Sequence, residues 1–273
     1  MKLATVRTAD GWHVARVEHD RWVDLGSGNV GDLLGHADWQ ERAAAAHDTL
    51  VDADSLAVEA VVPHPGKIIC VGLNYRTHIA EMGRDLPQYP TLFAKFPEAL
   101  LGPYDPLELP PESDQVDWEA ELAVIIGRPV HRADMATAAA AIAGYTIMND
   151  VTMRDWQFRT REWLQGKTWE ASSPLGPYLV TPDELAPDAT ISCTVDGEIM
   201  QKSTIADLLF GPAELISYIS TILTLNPGDV IATGTTGGVG HARTPPRYLR
   251  PGQTLVTRIE GIGETVTPIR RAP

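Results

Sequence analysis

Apolar residues along this chain fall in short, β-branched runs punctuated by glycine and proline, the signature of strands rather than long helices. Leu122–Ile126 is one such run, closed by Gly127. Others place strands at Lys67–Val71, Thr91–Ala94, Tyr145–Met148, Pro177–Val180, Ile191–Val195, Val230–Ala232, Thr254–Ile259 and Thr265–Pro268. Helical spacing is confined to Met135–Ala143 and Pro212–Leu223, the second with its proline suited to a first turn. With no regular strand–helix alternation and no internal repeat, the pattern predicts a mixed α/β, strand-dominated fold whose sheet curls into a roll.

The N-terminal stretch differs. Residues 1–62 read as a small α+β domain, with strands at Leu3–Arg7, His13–Val17 and Trp22–Asp24 and an alanine-rich helix at Trp39–Leu50. No group of residues in it resembles a catalytic set. Val62-Pro63-His64-Pro65-Gly66 stops regular structure and sets the boundary to a main domain, residues 63–273.

Side chains alternate along a strand, so Glu119 and Glu121, just ahead of the Leu122 run, project on one side. Two carboxylates held that close repel unless a cation lies between them. Asp150 closes another apolar stretch and supplies a third oxygen donor. An all-oxygen set without a Cys or His pair favours Mg²⁺ or Mn²⁺, before Ca²⁺, over zinc. Spacing alone describes a solvated strand end better; it is the rest of the chain that favours the metal. His78 and Glu81 share a face if their segment is helical, so the carboxylate can orient the imidazole as a general base, although an isolated pair of this kind is more often a solvated contact. Beyond them Met82–Pro90, with Gly83 and two prolines, suits a lid. Arg154 and Gln157 share a helical face suited to gripping a carboxylate, and Lys167 in a glycine-containing loop suits an anionic oxygen. Gln165-Gly-Lys-Thr168 lacks the leading glycine of a phosphate loop. The glycine-rich run 234–240 reads either as a tight turn or as a loop whose amides approach a small oxyanion, with Thr235 lending a hydroxyl.

The formal charge of -14 argues against general nucleic-acid binding, yet leaves an anionic small molecule open, because a divalent ion and a few bases invert the local potential. Cys70 and Cys193, far apart and flanked by apolar residues, read as buried thiols in a reducing compartment. Without a signal-peptide core or a membrane-length apolar run, the expected location is the cytoplasm, away from membranes.

Several of these segments together resemble the fumarylacetoacetate hydrolase family: Lys67-Ile-Ile-Cys-Val-Gly-Leu-Asn-Tyr, His78-x-x-Glu81 and Pro90-Thr-Leu-Phe-Ala-Lys95. Glu119-x-Glu121-Leu-Ala-Val-Ile-Ile-Gly, Asn149-Asp150-Val-Thr-x-Arg154-Asp-x-Gln157, Gly166-Lys167 and Pro227-Gly-Asp-Val-Ile-Ala-Thr-Gly-Thr continue the likeness in consistent order. The resemblance implies a β-roll catalytic domain in a homodimer, with Mg²⁺ or Mn²⁺ held by Glu119, Glu121 and Asp150. It implies that His78 and Glu81 activate water on a segment that orders as a lid, and that Arg154, Gln157, Lys167 and Thr235 contact substrate or metal-bound oxygens. The chain departs at Leu73, where acylpyruvate hydrolases of the mitochondrial type carry a basic residue. The activity first expected is hydrolysis of a carbon–carbon bond in an acylpyruvate such as fumarylpyruvate, a ring-fission product of aromatic catabolism, giving pyruvate and a carboxylic acid. The alternatives are decarboxylation of an oxaloacetate-type acid, isomerisation of an unsaturated diacid, and a metal-stabilised binding protein without activity; fold membership does not choose among them.

Overall fold

A computed structural model describes residues 1–18, 21–47, 56–81, 83 and 85–272, and of Glu81 the backbone alone. Every strand expected from the apolar runs is present, most of them extended by one to four residues where pairing continues past the apolar stretch. The central sheet runs in the order Arg21–Ser27, Gly11–Glu18, Lys2–Thr8, Ser173–Val180, Ile142–Asn149, Ala120–Ile126, Val230–Thr235, Ile68–Gly72, Thr91–Lys95. Its neighbours are antiparallel except for Val230–Thr235 beside Ile68–Gly72. A second, five-stranded sheet orders Glu198–Thr204, Thr190–Val195, Thr254–Ile259, Gly263–Arg271 and Leu107–Leu109.

Ala120–Ile126 is buried along its whole length, as a strand covered on both faces must be. Leu122 packs with Ile147, Ile191, Cys193 and Leu255 between the two sheets, around the buried Trp118. Ala123 and Ile125 face Leu33, Leu34 and Trp39 of the N-terminal stretch. Val124 and Ile126 meet Leu215, Ile216 and Ile219 of the helix Pro212–Ile222, each such side chain contributing about 1.5–3 kcal/mol on burial. Glu119 and Glu121 belong to the same alternation as Ala123 and Ile125.

Three expectations are corrected. Met135–Ala143 is helical only over Met135–Ala140, because Ile142–Asn149 is drawn into pairing with the central strand and tertiary contacts override local propensity. Lys167 lies not in a loop but at the end of a short helix, Leu164–Lys167. The helix expected at Trp39–Leu50 is seen over Trp39–Ala45, and residues 48–50 of that reading lie outside the described ones. The first strand pairs with the main body at Leu3↔Leu179, so the stretches on either side of the 62/63 boundary share a sheet.

Candidate active site

The register of the central sheet assembles the acids. Glu121 stands opposite Met148 on one side and Thr235 on the other. The amide of Glu119 donates to Asn149 Oδ1 at 2.9 Å, and the amide of Asp150 donates to the Glu119 carbonyl at 2.8 Å. Asn149 is anchored in turn by donating to Thr257 Oγ1 at 2.8 Å, across to the second sheet. The result is a cluster of Glu119, Glu121 and Asp150 whose carboxylate oxygens lie within 4.8 Å of one another, all buried.

Buried bases surround it. Lys167 Nζ donates to Glu119 Oε2 and Asp150 Oδ2, both at 2.8 Å. Lys95 Nζ donates to Asp150 Oδ1 at 2.6 Å. Arg154 reaches Glu119 Oε1 at 2.7 Å and Asp117 Oδ2 at 2.8 Å through Nη2, Asp117 again through Nε, and Gln157 Oε1 at 2.9 Å through Nη1. Those contacts engage four of the five guanidinium donors, and the Gln157 amide nitrogen has no partner among the described residues.

Charge is distributed unevenly. Four acids (Asp117, Glu119, Glu121, Asp150) face three bases (Lys95, Arg154, Lys167), a net of one negative charge when all are ionised. Glu121 is the acid without an ion pair among the described residues; its Oε2 accepts only the Gly234 amide, at 2.9 Å. Burial, then the charges of Asp150 and Glu119, push its carboxyl well above the ordinary value. Burial also works against the charge on Asp150, but Lys167 and Lys95 overcome it and hold Asp150 below its usual range. Lys167 is desolvated too, and the pull of Asp150 and Glu119 leaves it pushed up to about 12. A hard all-oxygen donor set with one uncompensated buried charge fits a divalent cation.

A cavity of ≈ 280 Å³ opens onto this floor and brings together His78, Glu119, Arg154, Gln157, Lys167 and Thr235. His78, buried at 8% exposure, projects from the helix Arg76–Glu81 that follows the strand Ile68–Gly72. The Glu81 side chain lies outside the described residues, as do Met82 and Arg84 of the expected lid. Thr235 donates its hydroxyl to the Ala120 carbonyl at 2.9 Å and accepts from Gln201 Nε2 at 2.8 Å, so its proton serves the sheet. The glycine-rich run does bring amides to oxyanions, but these are the chain's own carboxylates. Gly234 holds Glu121, while Gly240 and His241 donate to Asp117 at 2.7 and 2.9 Å.

Sequence reasoning assigned no role to Lys95, Asp117 or His241. The signal for Lys95 was a lysine ending an otherwise apolar strand, Thr91–Lys95, where it is 2% exposed. Gly166 was taken for a loop glycine because the steric reason for it is non-local: a Cβ there would sit 2.5 Å from the Gln157 nitrogen, so glycine lets the Lys167 helix pack against the Arg154 helix.

Comparison with known proteins gives a consistent picture. Residues 67–270 match the model for the fumarylacetoacetate (FAA) hydrolase C-terminal family. A mitochondrial oxaloacetate tautomerase of Rattus norvegicus is 42% identical over 231 residues, which is 84% of this chain and 74% of the relative. The solved 5-carboxymethyl-2-hydroxymuconate delta-isomerase of Mycobacterium smegmatis superposes with a TM-score of 0.84 at 32% identity, covering 100% of both chains. The fumarylacetoacetate hydrolase of psychrophilic Exiguobacterium antarcticum gives 0.88 at 31% identity, again over 100% of each.

Proposed function

The chain belongs to the fumarylacetoacetate hydrolase family, and from that membership we propose that it interconverts the keto and enol forms of a 2-oxo acid with a bound divalent cation. The observation that carries this reading is the cavity floor, where Lys167 spans two of three clustered carboxylates beneath Arg154, Gln157 and His78. The tautomerase and isomerase names of two relatives support it over the hydrolysis expected first.

Glu119, Glu121 and Asp150 would hold Mg²⁺ or Mn²⁺, which supplies Lewis acidity toward the carboxylate and keto oxygens of a 2-oxo acid. Arg154, with one donor left, and the free Gln157 amide orient the substrate carboxylate. His78 takes the proton from C3; the C–H electron pair becomes the C2=C3 bond, and negative charge moves to the C2 oxygen. Lys167, protonated at neutral pH, stabilises that charge as it develops. Return of the proton to oxygen gives the enol, and the reverse sequence gives the ketone. No water is consumed and no carbon–carbon bond breaks.

Hydrolysis of an acylpyruvate is the second reading, favoured by the buried His78 at the cavity and by the relative named as a hydrolase. It asks His78 to activate water instead, with Glu81 behind it. The free, buried Cys70 and Cys193 suit a cytoplasmic location, and assembly as a homodimer is part of the same proposal. Among the described residues no helix is long and apolar enough to cross a membrane. Product-resolved NMR with oxaloacetate, acetylpyruvate and fumarylpyruvate, with Mg²⁺ or with chelator, tests the choice. Metal-dependent isomerisation without new acids supports tautomerism; metal-dependent release of pyruvate and a second acid from either diketo acid replaces it with hydrolysis.

A further inference from the structure

The floor of the cavity is made of charged groups, and its entrance is built from something else. Leu73, Phe93, Phe158 and Trp163 border the same space as Glu119 and Lys167. Phe93 and Trp163 pack edge to face, centroids 5.5 Å apart and rings at 70°, and the Phe158 ring lies 5.2 Å from that of His241. The wall depends on a specific clearance: a Cβ at Gly72 would sit 2.5 Å from the Trp163 ring, so glycine at that strand end lets the indole close over it. Leu73 follows at φ 57, a left-handed conformation a leucine rarely adopts. It is held there by Asn74, whose amide donates to the carbonyls of Thr233 and Phe210 at 2.8 and 3.0 Å. Phe158 remains 56% exposed, apolar surface that a ligand seated on the floor would cover.

Among the described residues lining the cavity, the only lysine and arginine are Lys167, whose Nζ lies 5.0 Å from the Phe93 ring centroid, and Arg154. Arg154 and Lys167 are already paired with buried carboxylates at the floor. His241 shares Nδ1 with the Tyr248 hydroxyl at 3.0 Å, and burial, followed by the charge of Arg154, holds its imidazole below the ordinary value. A second carboxylate at the far end of a ligand would meet no permanently charged, unpaired base among the described residues lining the cavity. A flat apolar group would meet the rings of Phe93, Phe158 and Trp163.

Resting on the 2-oxo acid reading of the floor, we infer that the substrate carries a planar apolar group, aromatic or conjugated, at its distal end rather than a second carboxylate. Three non-enolisable 2-oxo acid analogues isolate that end: oxamate without a tail, oxanilate with a phenyl tail, and N-oxalylglycine with a carboxylate tail. Titration calorimetry of the full chain in saturating Mg²⁺ should show oxanilate binding roughly tenfold or more tighter than oxamate, the scale set by burying an aromatic ring. N-oxalylglycine should gain nothing over oxamate. Phe158→Ala, at an exposed position that the fold tolerates, should cut the oxanilate-to-oxamate ratio several-fold. N-oxalylglycine binding as tightly as oxanilate, oxanilate no tighter than oxamate, or a ratio unmoved by Phe158→Ala would each overturn the inference. Failure of all three to bind removes the 2-oxo acid reading and this inference with it. The expected binding order without any enolisation activity leaves the inference standing and removes only the proposed reaction.

Discussion

At the floor of the cavity Glu119, Glu121 and Asp150 are set by paired strands and are 7%, 1% and 0% exposed; at its mouth Phe158 is 56% exposed and Trp163 half-buried, at the ends of two four-residue helices. The floor is cross-braced. Glu119 is shared by Arg154 and Lys167, Asp150 by Lys95 and Lys167, and the backbone of each acid is tied to the other's strand. The mouth is held more lightly, by Phe93 against Trp163, Phe158 against His241, and the Phe158 amide donating to the Arg154 carbonyl at 3.2 Å. On the proposed reading, chemistry sits where register fixes geometry, and selectivity sits where a side chain can change without disturbing the sheet. Substitutions at the floor are therefore expected to affect stability and reaction together, and those at the mouth ligand choice alone.

Asp150→Ala should have the largest effect. It leaves Lys95 with only the Val151 carbonyl at 3.5 Å and removes one of two acids from Lys167. Breaking a buried pair this way costs about 3–5 kcal/mol, which a urea melt would register as a large loss of midpoint. Metal binding should disappear as well. An unchanged midpoint would mean the floor is not braced as described.

His78→Asn sharpens the choice of reaction. If His78 moves the C3 proton, enol–keto interconversion falls by roughly 10²–10⁴-fold while the melt is little changed. Should interconversion persist and only acylpyruvate hydrolysis vanish, the histidine is a water base and the second reading gains.

Lys167→Met should separate the two functions of the floor. Arg154 still holds Glu119 and Lys95 still holds Asp150, so folding survives better than in Asp150→Ala. Loss of a preorganised charge at the developing enolate oxygen should cost about 10²–10³ in kcat. A change confined to KM would place Lys167 in binding only.

The smallest effect is a slope. Glu121 ionises near 4.5 in the unfolded chain but much higher in the fold, where burial and then Asp150 and Glu119 oppose its charge. Its contribution to stability is whole below that ordinary value and is lost as pH rises toward the raised one. Asp150, lowered, has the opposite sign: its contribution is present above its ordinary 3.8 and is lost as pH falls through the depressed value. In chelator, melting temperature should therefore sag as pH climbs above about 5, and Glu121→Gln should flatten the curve. Mg²⁺ should flatten it in the unmutated chain. Parallel curves for both chains in chelator would contradict the uncompensated charge assigned to Glu121.

The same contrast governs what could be read before the fold was seen. Glu119 and Glu121 were legible because strand alternation is local, and Arg154 and Gln157 because one helical turn aligns them. Asp150 was legible as the acid closing another apolar run, but the pairing of that strand with the one after Glu119 was not. Lys95, at the end of a quoted motif, and Asp117 were given no part, since their partners lie 55 and 37 residues away and meet only through sheet order. The mouth was the least legible. Trp163 enters the site because Gly72, on another element, leaves room for it, and His241 because the chain after Val230–Thr235 turns back to donate its amide to Asp117. Thr235, expected to lend a hydroxyl to an oxyanion, lines the cavity with its hydroxyl proton on the Ala120 carbonyl.

The most direct test follows the enols themselves. Enol oxaloacetate and enol phenylpyruvate, freshly dissolved, lose absorbance as they ketonise, and the rate can be compared in Mg²⁺ buffer, with the chain added, and with Glu121→Gln or Lys167→Met in its place. The account predicts that the chain accelerates ketonisation of at least one enol far beyond Mg²⁺ alone, and that chelator or either substitution removes most of the gain. No acceleration of either enol over Mg²⁺ buffer, or an acceleration indifferent to chelator and to both substitutions, would contradict it.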